Sequence, residues 1–573
     1  TCALPICYQI KKMKYFFSFL IFFNILIIIS PKIEDVTPIE ASVYYIKTTG
    51  KYKVVEGKFD KMAAAYATYT PSYETKGWDF LALSSYDGVD DKYPDEVKNY
   101  AMGYLEGVLT HKRIYASHYN LNNYKYYKNK GIMPDSTYEF FEKNLIFMQN
   151  MTSLYKDSDP YWHEVNNLYM QMRGLHEGYN SMAPDSEKID LVHFQTIVSL
   201  GDVDEINENW KKEDRPDYSK MTTDEYLDYI AFRSHCSAIF KVADDFSDVW
   251  FGHNTWTTYN KLIRIYKEYK YVPNSKFPIK AQTVTMSSYP AALNSQDDFY
   301  ITGAYLYVGE TTNHVHNTKL FDLLTPESLM CWMRTMVANR LTDDGYSWTQ
   351  IFSKYNSGTY NNQFHILNLK LIDTEKKTIS PGAMYIVEQL PGSCDVQEVT
   401  DVLKKGYWPS YNTPFIMSVR EKSGTIAALK NNSDLWVTQD YDTCVRAKIF
   451  RREQSKVNST EAYKELIRFN NYLNDEYSLG NPSYSIAARY DLNPGNKSNC
   501  YGATDAKFAS INEIKTTGKK KVHIISGPTK SHNLESFAWS KAHCKLTDPI
   551  RFKIIGQIDE YNFDWVDYEL TLW

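Results

Sequence analysis

The order of hydrophobic patterns along the chain constrains its fold more than any other feature. Residues 98–200 carry apolar side chains at helical spacing, and helical patterns return at 325–341 and 459–474. Four apolar runs typical of strands lie between these helical regions, at 284–293, 297–309, 365–372 and 383–390. Strands and helices mixed in this order predict a layered α/β or α+β domain.

No part of the chain has the repeats or the Pro/Gly-rich composition of a linker between independent domains. The clearest change in composition lies at 201–220, a charged segment without a helical or alternating apolar pattern. We predict an exposed loop there. The sequence therefore favours one composite domain interrupted by a protease-accessible segment.

The region around Cys236 has its own pattern. Residues 237–242 and 248–252 are short apolar runs on either side of a polar turn, and they predict two strands. The next apolar residues recur at helical spacing and predict a helix; they are Trp256, Tyr259, Leu262, Ile263 and Tyr266. Cys236 is therefore expected at the start of a strand.

The N-terminal part carries a targeting pattern. Lys11, Lys12 and Lys14 precede an apolar run from Phe16 to Ile29, which is shorter than the roughly 20 residues of a membrane-spanning helix. We interpret residues 13–30 as a secretory signal peptide and residues 1–12 as a non-native upstream segment, with a retained membrane anchor as the alternative. The expected location is outside the cell or in the lysosome.

Charge and composition exclude several partner classes. The formal net charge is −5 at pH 7, so no global positive field attracts nucleic acid, and membrane contact is expected to be transient at most. Hydrophobic residues make up 43% of the chain, which is enough for large cores.

Secretion changes the interpretation of the cysteines and of the Asn-X-Ser/Thr triplets. Six cysteines follow the signal segment, at 236, 331, 394, 444, 500 and 544, and an oxidising compartment permits disulfides among them. Cys331 lies in a predicted helix with Thr325 as N-cap and Pro326 as first residue, so we expect a buried thiol. The glycosylation triplets begin at Asn150, Asn431, Asn458 and Asn496.

Familiar enzyme motifs are absent from the sequence. It has no G-x-S-x-G, no P-loop, no G-x-G-x-x-G and no H-E-x-x-H. His314 and His316 are interpreted as surface histidines rather than metal ligands because no third ligand stands at a recognisable spacing. The pairs Asp297-Asp298 and Asp343-Asp344 are interpreted as turn residues. We expect neither a metal nor another cofactor.

Several ordered blocks resemble a known family. They include SHCSAI at Cys236, HNTW at His253, and further on SSYPAALNSQDDFYI, ETT, VANRLTDDG, EQLPG, YWPSYNTPF, AKIFRR and ARYDLNP. In this order, from about residue 230 to 494, the blocks resemble those of the phospholipase B-like proteins of the secretory pathway and the lysosome. The N-terminal third and the last 80 residues match more weakly.

The resemblance implies an N-terminal nucleophile (Ntn) hydrolase. Its fold would be α+β, an αββα sandwich of two stacked antiparallel sheets between helical layers, with helical additions at the N-terminus. The precursor would cut its own chain before Cys236, which gives a mostly helical fragment 31–235 and a fragment 236–573 that carries the nucleophile. The freed α-amine would then act as the base, because α-amines titrate near 8.

The resemblance also assigns residues to roles. Cys236 would be the nucleophile, His253 would orient its amine or thiol, and Arg446 would be a charged partner of the site. Asn412 would supply an oxyanion donor, while Trp256 and Thr312 would shape the substrate pocket. The sequence departs from the family's pattern just before the nucleophile, at Arg233-Ser234-His235.

Three functions remain open at this point. The first is a hydrolase that removes acyl chains from phospholipids through a Cys236 thioester. The second is an amidase of the same class that acts on N-acyl amides or peptides, and the third is a glycoprotein that binds lipid without turnover. The expected partners are a phospholipid or another acylated small molecule and the protein's own cleaved N-terminal fragment.

Overall fold

Two β-sheets form the centre of the protein in a computed structural model, which describes residues 36–88, 92–125, 133–233, 236–274, 277–297, 299–544 and 553–573. The signal segment and residues 234–235 lie outside the described residues. Residues 36–573 cluster as one compact unit.

The strands in chain order are β1 (Ile39–Ile46), β2 (Lys51–Glu56), β3 (Ala65–Thr70), β4 (Asp79–Ser85), β5 (Ser237–Val242), β6 (Val249–Asn254), β7 (Trp256–Thr258), β8 (Ile265–Lys270), β9 (Thr283–Ser288), β10 (Phe299–Thr302), β11 (Leu306–Thr312), β12 (Asn362–Asn368), β13 (Ile372–Asp373), β14 (Thr378–Ile379), β15 (Met384–Leu390), β16 (Ser393–Glu398), β17 (Tyr407–Ser410), β18 (Tyr501–Ala503), β19 (Asp505–Ser510), β20 (Lys521–Ser526), β21 (Phe537–Ala538), β22 (Glu560–Tyr561) and β23 (Val566–Glu569).

The helices in chain order are α1 (Tyr73–Lys76), α2 (Asp95–Lys125), α3 (Asp135–Tyr155), α4 (Pro160–Met182), α5 (Leu191–Val198), α6 (Leu200–Asn209), α7 (Thr223–Ala231), α8 (Cys331–Leu341), α9 (Gly345–Phe352), α10 (Thr400–Leu403), α11 (Met417–Lys422), α12 (Thr425–Asn431), α13 (Trp436–Gln439), α14 (Val445–Glu453), α15 (Thr460–Ile467) and α16 (Ile511–Lys515).

The larger sheet has the strand order β16-β15-β12-β11-β10-β9-β8-β4-β3-β1-β2, and the smaller sheet has the order β17-β5-β6-β19-β20-β23. Within the smaller sheet all neighbours are antiparallel. The larger sheet contains one parallel pair, β4 with β8. The expectation of purely antiparallel sheets is therefore wrong at this pair, where a strand from the N-terminal part joins one from after Cys236.

The two sheets pack face to face through an aromatic and aliphatic core. Phe240 and Phe251 of the smaller sheet share a buried cluster with Tyr307 and Ile386 of the larger one. The ring centres of Phe251 and Tyr307 are 4.7 Å apart. Side chains alternate along a strand, so Cys236 points toward the same side as Phe240. His253 points toward the same side as Phe251 for the same reason. The sequence thus directs both residues into the space between the sheets.

Helices cover the outer faces of both sheets. Side chains of α2, α4 and α8 share a cluster with β4 and β9 of the larger sheet, while α14 and α15 cover β5, β6 and β19 of the smaller one. Close approach of α2 to α4 requires glycine, since a Cβ at Gly103 would lie 1.9 Å from the Gln171 carbonyl oxygen. The α+β expectation is confirmed at this level.

Several strands were predicted well from the apolar runs. The run at 237–242 coincides with β5, the runs at 284–293 and 365–372 contain most of β9 and of β12, and the run at 383–390 contains all of β15. The run at 297–309 contains β10 and the start of β11. The helical region 98–200 contains most of α2, all of α3 and α4, and α5.

The predicted loop at 201–220 is wrong in its first half, because Leu200–Asn209 form α6. Leu200, Val203 and Ile206 make a buried apolar face, but buried Asp202 and Asn209 break the hydrophobic pattern in the sequence. The helix was missed because polar residues occupy part of its buried side.

Two other local predictions are also wrong. The apolar residues from Trp256 to Tyr266 recur at helical spacing, but they form β7, a single 3₁₀ turn and the start of β8. Nearly every residue of this segment is buried, so the spacing of its apolar residues does not distinguish a helix from strands. The helix predicted from Pro326 begins at Cys331, because Thr325 closes a turn by accepting from the Glu327 amide at 3.2 Å. The N-terminal part is mostly helical, and its four strands, β1 to β4, extend the larger sheet.

Candidate active site

Cys236 lies immediately before β5, at the entry to the smaller sheet. It is 2% exposed, and its φ of 88° falls in a region that side-chain-bearing residues rarely adopt. Arg446 of α14 donates from Nη1 to the Cys236 carbonyl at 2.7 Å and to Ser237 Oγ at 3.2 Å. The backbone of the candidate nucleophile is therefore held in an uncommon conformation by a buried guanidinium.

His253 stands beside Cys236 on the neighbouring strand β6. It pairs in register with Ala238 on one side and with Lys507 on the other, and its exposure is 0%. Neither ring nitrogen of His253 has a hydrogen-bond partner among the described residues. Burial, reinforced by the charge of Lys507, holds the pKa of His253 well below its usual value, so the imidazole is neutral.

Glu310 reaches the same point from β11 of the larger sheet. Its Oε1 lies 4.0 Å from Cys236 Sγ and accepts a hydrogen bond from the Tyr360 hydroxyl at 3.1 Å. Thr312, two residues further along the strand, donates to Glu310 Oε2 at 3.4 Å. One ligand atom each of Cys236, His253 and Glu310 lies within 4.8 Å of the other two.

Sequence reasoning missed Glu310. The ETT block contains it, but only Thr312 was assigned a role. The available signal was the position of Glu310 two residues before Thr312 in a predicted strand. Residues two apart in a strand lie on the same side of a sheet, so a site at Thr312 would also include Glu310. A glutamate that is 0% exposed in such a strand needs partners, and the thiol and the two hydroxyls stand within reach.

The surroundings keep the thiol protonated. Burial is the main cause that raises the pKa of Cys236 well above its usual value, and the Glu310 carboxylate raises it further, while Lys507 acts in the opposite direction. A protonated thiol is a weak nucleophile, so attack by Cys236 requires a nearby base. Glu310 and the neutral His253 are the two candidate bases that the structure places beside the thiol.

A buried cluster of four charges lies next to His253. Lys507 donates to Asp297 at 2.6 Å and to Asp505 at 3.0 Å, and Arg264 donates to the same two carboxylates. Asp297 lies in a bend, as predicted, and it is also a buried ion-pair residue, while Asp298 lies outside the described residues. Two cations and two anions balance, which makes the cluster electrically neutral.

The other Asp pair has the structural role that was predicted. Asp344 caps α9 by accepting from the Ser347 amide at 2.9 Å. Asp343 lies beside it with a side chain that is 50% exposed. Neither residue belongs to the candidate site.

Arg446 and Trp256 form a stacked pair beside Cys236. The guanidinium lies 4.4 Å from the centre of the Trp256 ring, and its Nη2 donates to the Tyr411 carbonyl at 2.8 Å. The indole N–H of Trp256 donates to the Ile486 carbonyl at 3.1 Å. The apolar cluster around Trp256 includes Ala487, Ala488, Tyr501 and Ala503, with Phe232 and Tyr490 packed against it.

Asn412 and Thr312 connect the two sheets at the same end. Asn412 follows β17 with a φ of 68°, a conformation that asparagine tolerates better than most residues. Its Nδ2 donates to the Thr312 carbonyl at 2.7 Å. The structure thus brings Cys236, His253 and Arg446 into direct neighbourhood, and it links Thr312 and Asn412 to them through Glu310 and Tyr411.

The two histidines considered for a metal lie elsewhere. The rings of His314 and His316 are 4.6 Å apart, and the Tyr226 hydroxyl of α7 bonds His316 Nδ1 at 2.6 Å. His314 is only 7% exposed, so its interpretation as a surface residue is wrong. Within the described ranges, the cluster of Cys236, His253 and Glu310 is the only group of three or more such side chains close enough to share an ion.

The remaining cysteines divide into a disulfide and buried thiols. Cys500 and Cys544 form a disulfide, a pairing that the sequence had left open. Cys331 is 1% exposed, as predicted, and Cys444 is also buried, whereas Cys394 is half-buried. The glycosylation candidates Asn150, Asn431 and Asn458 are exposed, and the side chain of Asn496 lies outside the described residues.

None of the helices in the described part of the chain combines the length and the apolar character needed to cross a membrane. The apolar run from Phe16 to Ile29, on which the signal-peptide prediction rests, lies outside that part.

Fold and site together define a mixed α+β protein with a buried cysteine, histidine and glutamate brought together by two facing sheets. A family profile named Phospholipase B matches residues 65–568 of the chain. The chain belongs to the Phospholipase B family, which confirms the resemblance drawn from the sequence blocks.

Named relatives cover nearly the whole chain. Phospholipase B-like 1 of Rattus norvegicus is 35% identical over 532 residues, which cover 92% of this chain and 91% of that protein. Phospholipase B-like protein B of Dictyostelium discoideum is 31% identical over 535 residues, covering 92% and 89%. Phospholipase-B 81 of Drysdalia coronoides is 33% identical over 538 residues, covering 93% of each. All three names contain the term phospholipase B.

Proposed function

We propose that the protein is an Ntn-type hydrolase of the secretory pathway that removes acyl chains from phospholipids, with Cys236 as nucleophile. The observation that carries the proposal is the position of Cys236, a buried thiol at the entry to an inner strand, faced by Glu310 and flanked by His253. Packing of the two sheets between helical layers supports the αββα arrangement of that class. The family names supply the substrate class.

The first step is cleavage of the protein's own chain. Glu310 or His253 takes the thiol proton, and Cys236 Sγ attacks the carbonyl carbon of His235. The bond from that carbon to the Cys236 nitrogen breaks, the nitrogen takes a proton, and a thioester remains. Water then hydrolyses the thioester, which leaves a carboxylate at His235, a free thiol and a new α-amine on Cys236.

Turnover uses the same thiol with a different base. The α-amine takes the thiol proton, Sγ attacks the ester carbonyl of the lipid, and the alcohol part leaves with a proton. Water releases the fatty acid from the resulting thioester. The Asn412 amide is the proposed oxyanion donor in both half-reactions, and the apolar cluster around Trp256 is the proposed contact for the acyl chain.

Arg446 acts as a positioning residue in this scheme. All the hydrogen bonds described for it go to Cys236, Ser237 and Tyr411, and its guanidinium stacks on Trp256. It therefore fixes the backbone from which the thiol projects. This role differs from recognition of an anionic head group.

A secretory location is part of the proposal. The Cys500–Cys544 disulfide is typical of an oxidising compartment, and Asn150, Asn431 and Asn458 are exposed as glycosylation requires. After expression from Met13 in a secretory host, the protein recovered from the culture medium should lack residues 13–30 and should lose mass on glycosidase treatment. Retention of the apolar segment in the membrane fraction would contradict this part.

The deciding experiment combines fragment analysis with lipid profiling. We expect two associated fragments, the second beginning at Cys236, and release of fatty acid from phospholipids by the cleaved protein. Cys236→Ala should abolish both, whereas Cys331→Ala, which removes another buried thiol, should preserve both. Cleavage accompanied by release of fatty acid only from N-acyl amides would overturn the phospholipid assignment, and a chain that stays intact would overturn the Ntn assignment.

A further inference from the structure

We propose that Cys236, His253 and Glu310 also form a binding site for Zn²⁺, and that the bound ion blocks the thiol reversibly. The three residues offer a sulfur, an imidazole nitrogen and a carboxylate oxygen within 4.8 Å of one another. These are the three donor types that zinc takes in proteins. The inhibitory consequence rests on the proposed function, whereas the metal site does not.

The state of His253 is the second observation that points to a ligand. Its side chain is 0% exposed, and neither ring nitrogen has a hydrogen-bond partner among the described residues. An unsatisfied buried nitrogen costs free energy that a metal ion can recover. A nitrogen of this ring also lies close to Cys236 Sγ and to the Glu310 carboxylate, so a ligand for it would stand between those groups.

Distances in the cluster are near those of a zinc site. Bond lengths of about 2.3 Å to sulfur and about 2.0 Å to oxygen imply a sulfur-to-oxygen separation of about 3.5 Å in tetrahedral geometry. Cys236 Sγ and Glu310 Oε1 are 4.0 Å apart, about 0.5 Å more than that separation. Three protein ligands leave one position for water, as in zinc sites with an open coordination position.

The donor set selects the kind of metal. A thiolate and an imidazole favour zinc, cobalt and copper over calcium and magnesium, which prefer oxygen ligands alone. When Zn²⁺ binds, the Cys236 S–H bond breaks, the proton leaves to solvent, and a Zn–S bond forms without any oxidation or reduction. The ion, the thiolate and the Glu310 carboxylate then sum to zero charge.

Two cations stand near the site and oppose binding. Lys507 is bonded to Asp297 and Asp505, and together with Arg264 these residues form the neutral cluster described above. Arg446 is the second cation, and its Nη1 lies 2.7 Å from the Cys236 carbonyl oxygen. Its charge reduces the affinity for a metal without occupying a donor atom of the three ligands.

Occupancy by zinc would prevent catalysis for a simple reason. The thiolate pair of electrons that attacks a carbonyl is the pair that binds the metal. The same ion also binds His253 and Glu310, so neither of the two candidate bases can then accept the thiol proton. Protein in zinc-rich surroundings would stay inactive until the metal is withdrawn.

Cobalt provides a direct test because a thiolate bound to Co²⁺ gives a charge-transfer absorption in the near ultraviolet. The probe is Co²⁺ added to purified, chelator-treated full-length protein whose fragment pattern has been verified. We expect one Co²⁺ per molecule, a thiolate band, and displacement by one equivalent of Zn²⁺. Binding of Co²⁺ without that band would overturn the proposal.

Variants assign the ligands. His253→Ala and Glu310→Gln should each weaken binding at least about tenfold. Cys331→Ala and His316→Gln, which remove a thiol and an imidazole outside the cluster, should leave binding unchanged. Equal binding by His253→Ala and the parent would overturn the ligand assignment.

Alkylation provides a readout that needs no variant and therefore does not depend on whether a variant folds. At an alkaline pH chosen so that iodoacetamide labels Cys236 in the zinc-free protein, Zn²⁺ should slow this labelling at least tenfold, measured by mass spectrometry of the Cys236 peptide, while half-buried Cys394 should react at the same rate with and without zinc. Unchanged labelling of Cys236 would overturn the site.

Activity separates the two proposals. Zn²⁺ should inhibit acyl release with the same concentration dependence as its displacement of Co²⁺, and a chelator should restore the rate. Metal binding by protein that cleaves neither itself nor lipid would support the site and overturn the proposed function. Full activity at saturating Zn²⁺ would overturn the inhibitory role.

Discussion

The thiol of Cys236 lies 4.0 Å from Oε1 of Glu310, although the two residues belong to different sheets. Cys236 leads into β5 of the smaller sheet, and Glu310 lies in β11 of the larger one. Their approach therefore depends on how the sheets stack, with Phe251 against Tyr307 in the core between them. The catalytic proposal depends on the same stacking.

Glu310→Gln tests whether the carboxylate acts as the base in self-cleavage. Glutamine retains the size of the side chain but has no basic oxygen, so we expect cleavage to slow by about two orders of magnitude. Loss of the negative charge also lowers the thiol pKa, which acts in the opposite direction. The fraction of cleaved chain is measured over time on denaturing gels.

The control for this variant is Glu398→Gln, an exposed carboxylate on β16 of the same sheet. It should cleave at the parental rate. If Glu310→Gln cleaves as fast as the parent or faster, Glu310 is not the base, and His253 is then the group to test.

Asn412→Asp tests the oxyanion donor. The Asn412 amide carries two hydrogens, of which the Thr312 carbonyl takes one at 2.7 Å. Aspartate keeps the size of the side chain and tolerates the positive φ of 68°, but it has no N–H to donate. Processed Asn412→Asp should turn over substrate about two to three orders of magnitude more slowly than the parent.

Two further variants separate this effect from changes in the backbone. Asn412→Gly adopts the positive φ without strain and also lacks the donor, so it should be as slow as Asn412→Asp. Asn356→Asp makes the same chemical change at an amide that donates to the Leu390 and Ser393 carbonyls and accepts from the Gly358 amide, away from the candidate site, and it should keep the parental rate. Parental turnover by processed Asn412→Asp would remove Asn412 from the mechanism.

Arg446→Lys tests the positioning role of the guanidinium. A lysine cannot bond the Cys236 and Tyr411 carbonyls in the geometry of the planar fork, and it loses the stacking on Trp256. We expect kcat to fall about tenfold to a hundredfold on anionic and zwitterionic phospholipids alike. Arg451→Lys, an exposed residue on the same helix α14, is the control.

A fall in rate confined to anionic substrates would show that Arg446 binds the head group instead. The measurement is therefore kcat and KM for two lipids that differ only in head-group charge. A positioning role predicts equal losses in kcat, whereas head-group recognition predicts a change in KM for the anionic lipid.

Much of the site was predictable because its residues stand in recognisable blocks. Cys236 immediately precedes β5 and His253 lies near the end of β6, the two strands that the apolar runs predicted, and antiparallel pairing of these strands brings the two residues together. Glu310 was missed because its contact with the thiol arises between two sheets, and the one local signal was its spacing of two residues from Thr312 in a strand. Helix α6 was missed for a related reason, since buried Asp202 finds its partner at Thr359, far along the chain.

The last prediction concerns Glu388, a carboxylate with 0% exposure on β15. It accepts from the Phe415 amide at 2.6 Å and from the Ile416 amide at 3.0 Å. Burial outweighs these hydrogen bonds and raises the pKa of Glu388 to about 7. The folded protein therefore holds a proton on Glu388 at pH values where the unfolded chain has released it.

The sign of the pH effect follows from proton uptake on folding. A raised carboxyl pKa gives stability that is fully present below the unfolded value near 4.5 and is lost as the pH rises through about 7. The parent should therefore gain about 2–3 kcal/mol from this group between pH 8 and pH 5. Glu388→Gln has no titrating group at this position and lacks that gain. The measurement is the Tm of both proteins at pH 5 and pH 8, in which titrations shared by both proteins cancel. We expect the Tm of the parent to exceed that of Glu388→Gln by more at pH 5 than at pH 8. An equal difference at the two pH values, or a larger one at pH 8, would show that Glu388 is ionised in the folded protein throughout this range.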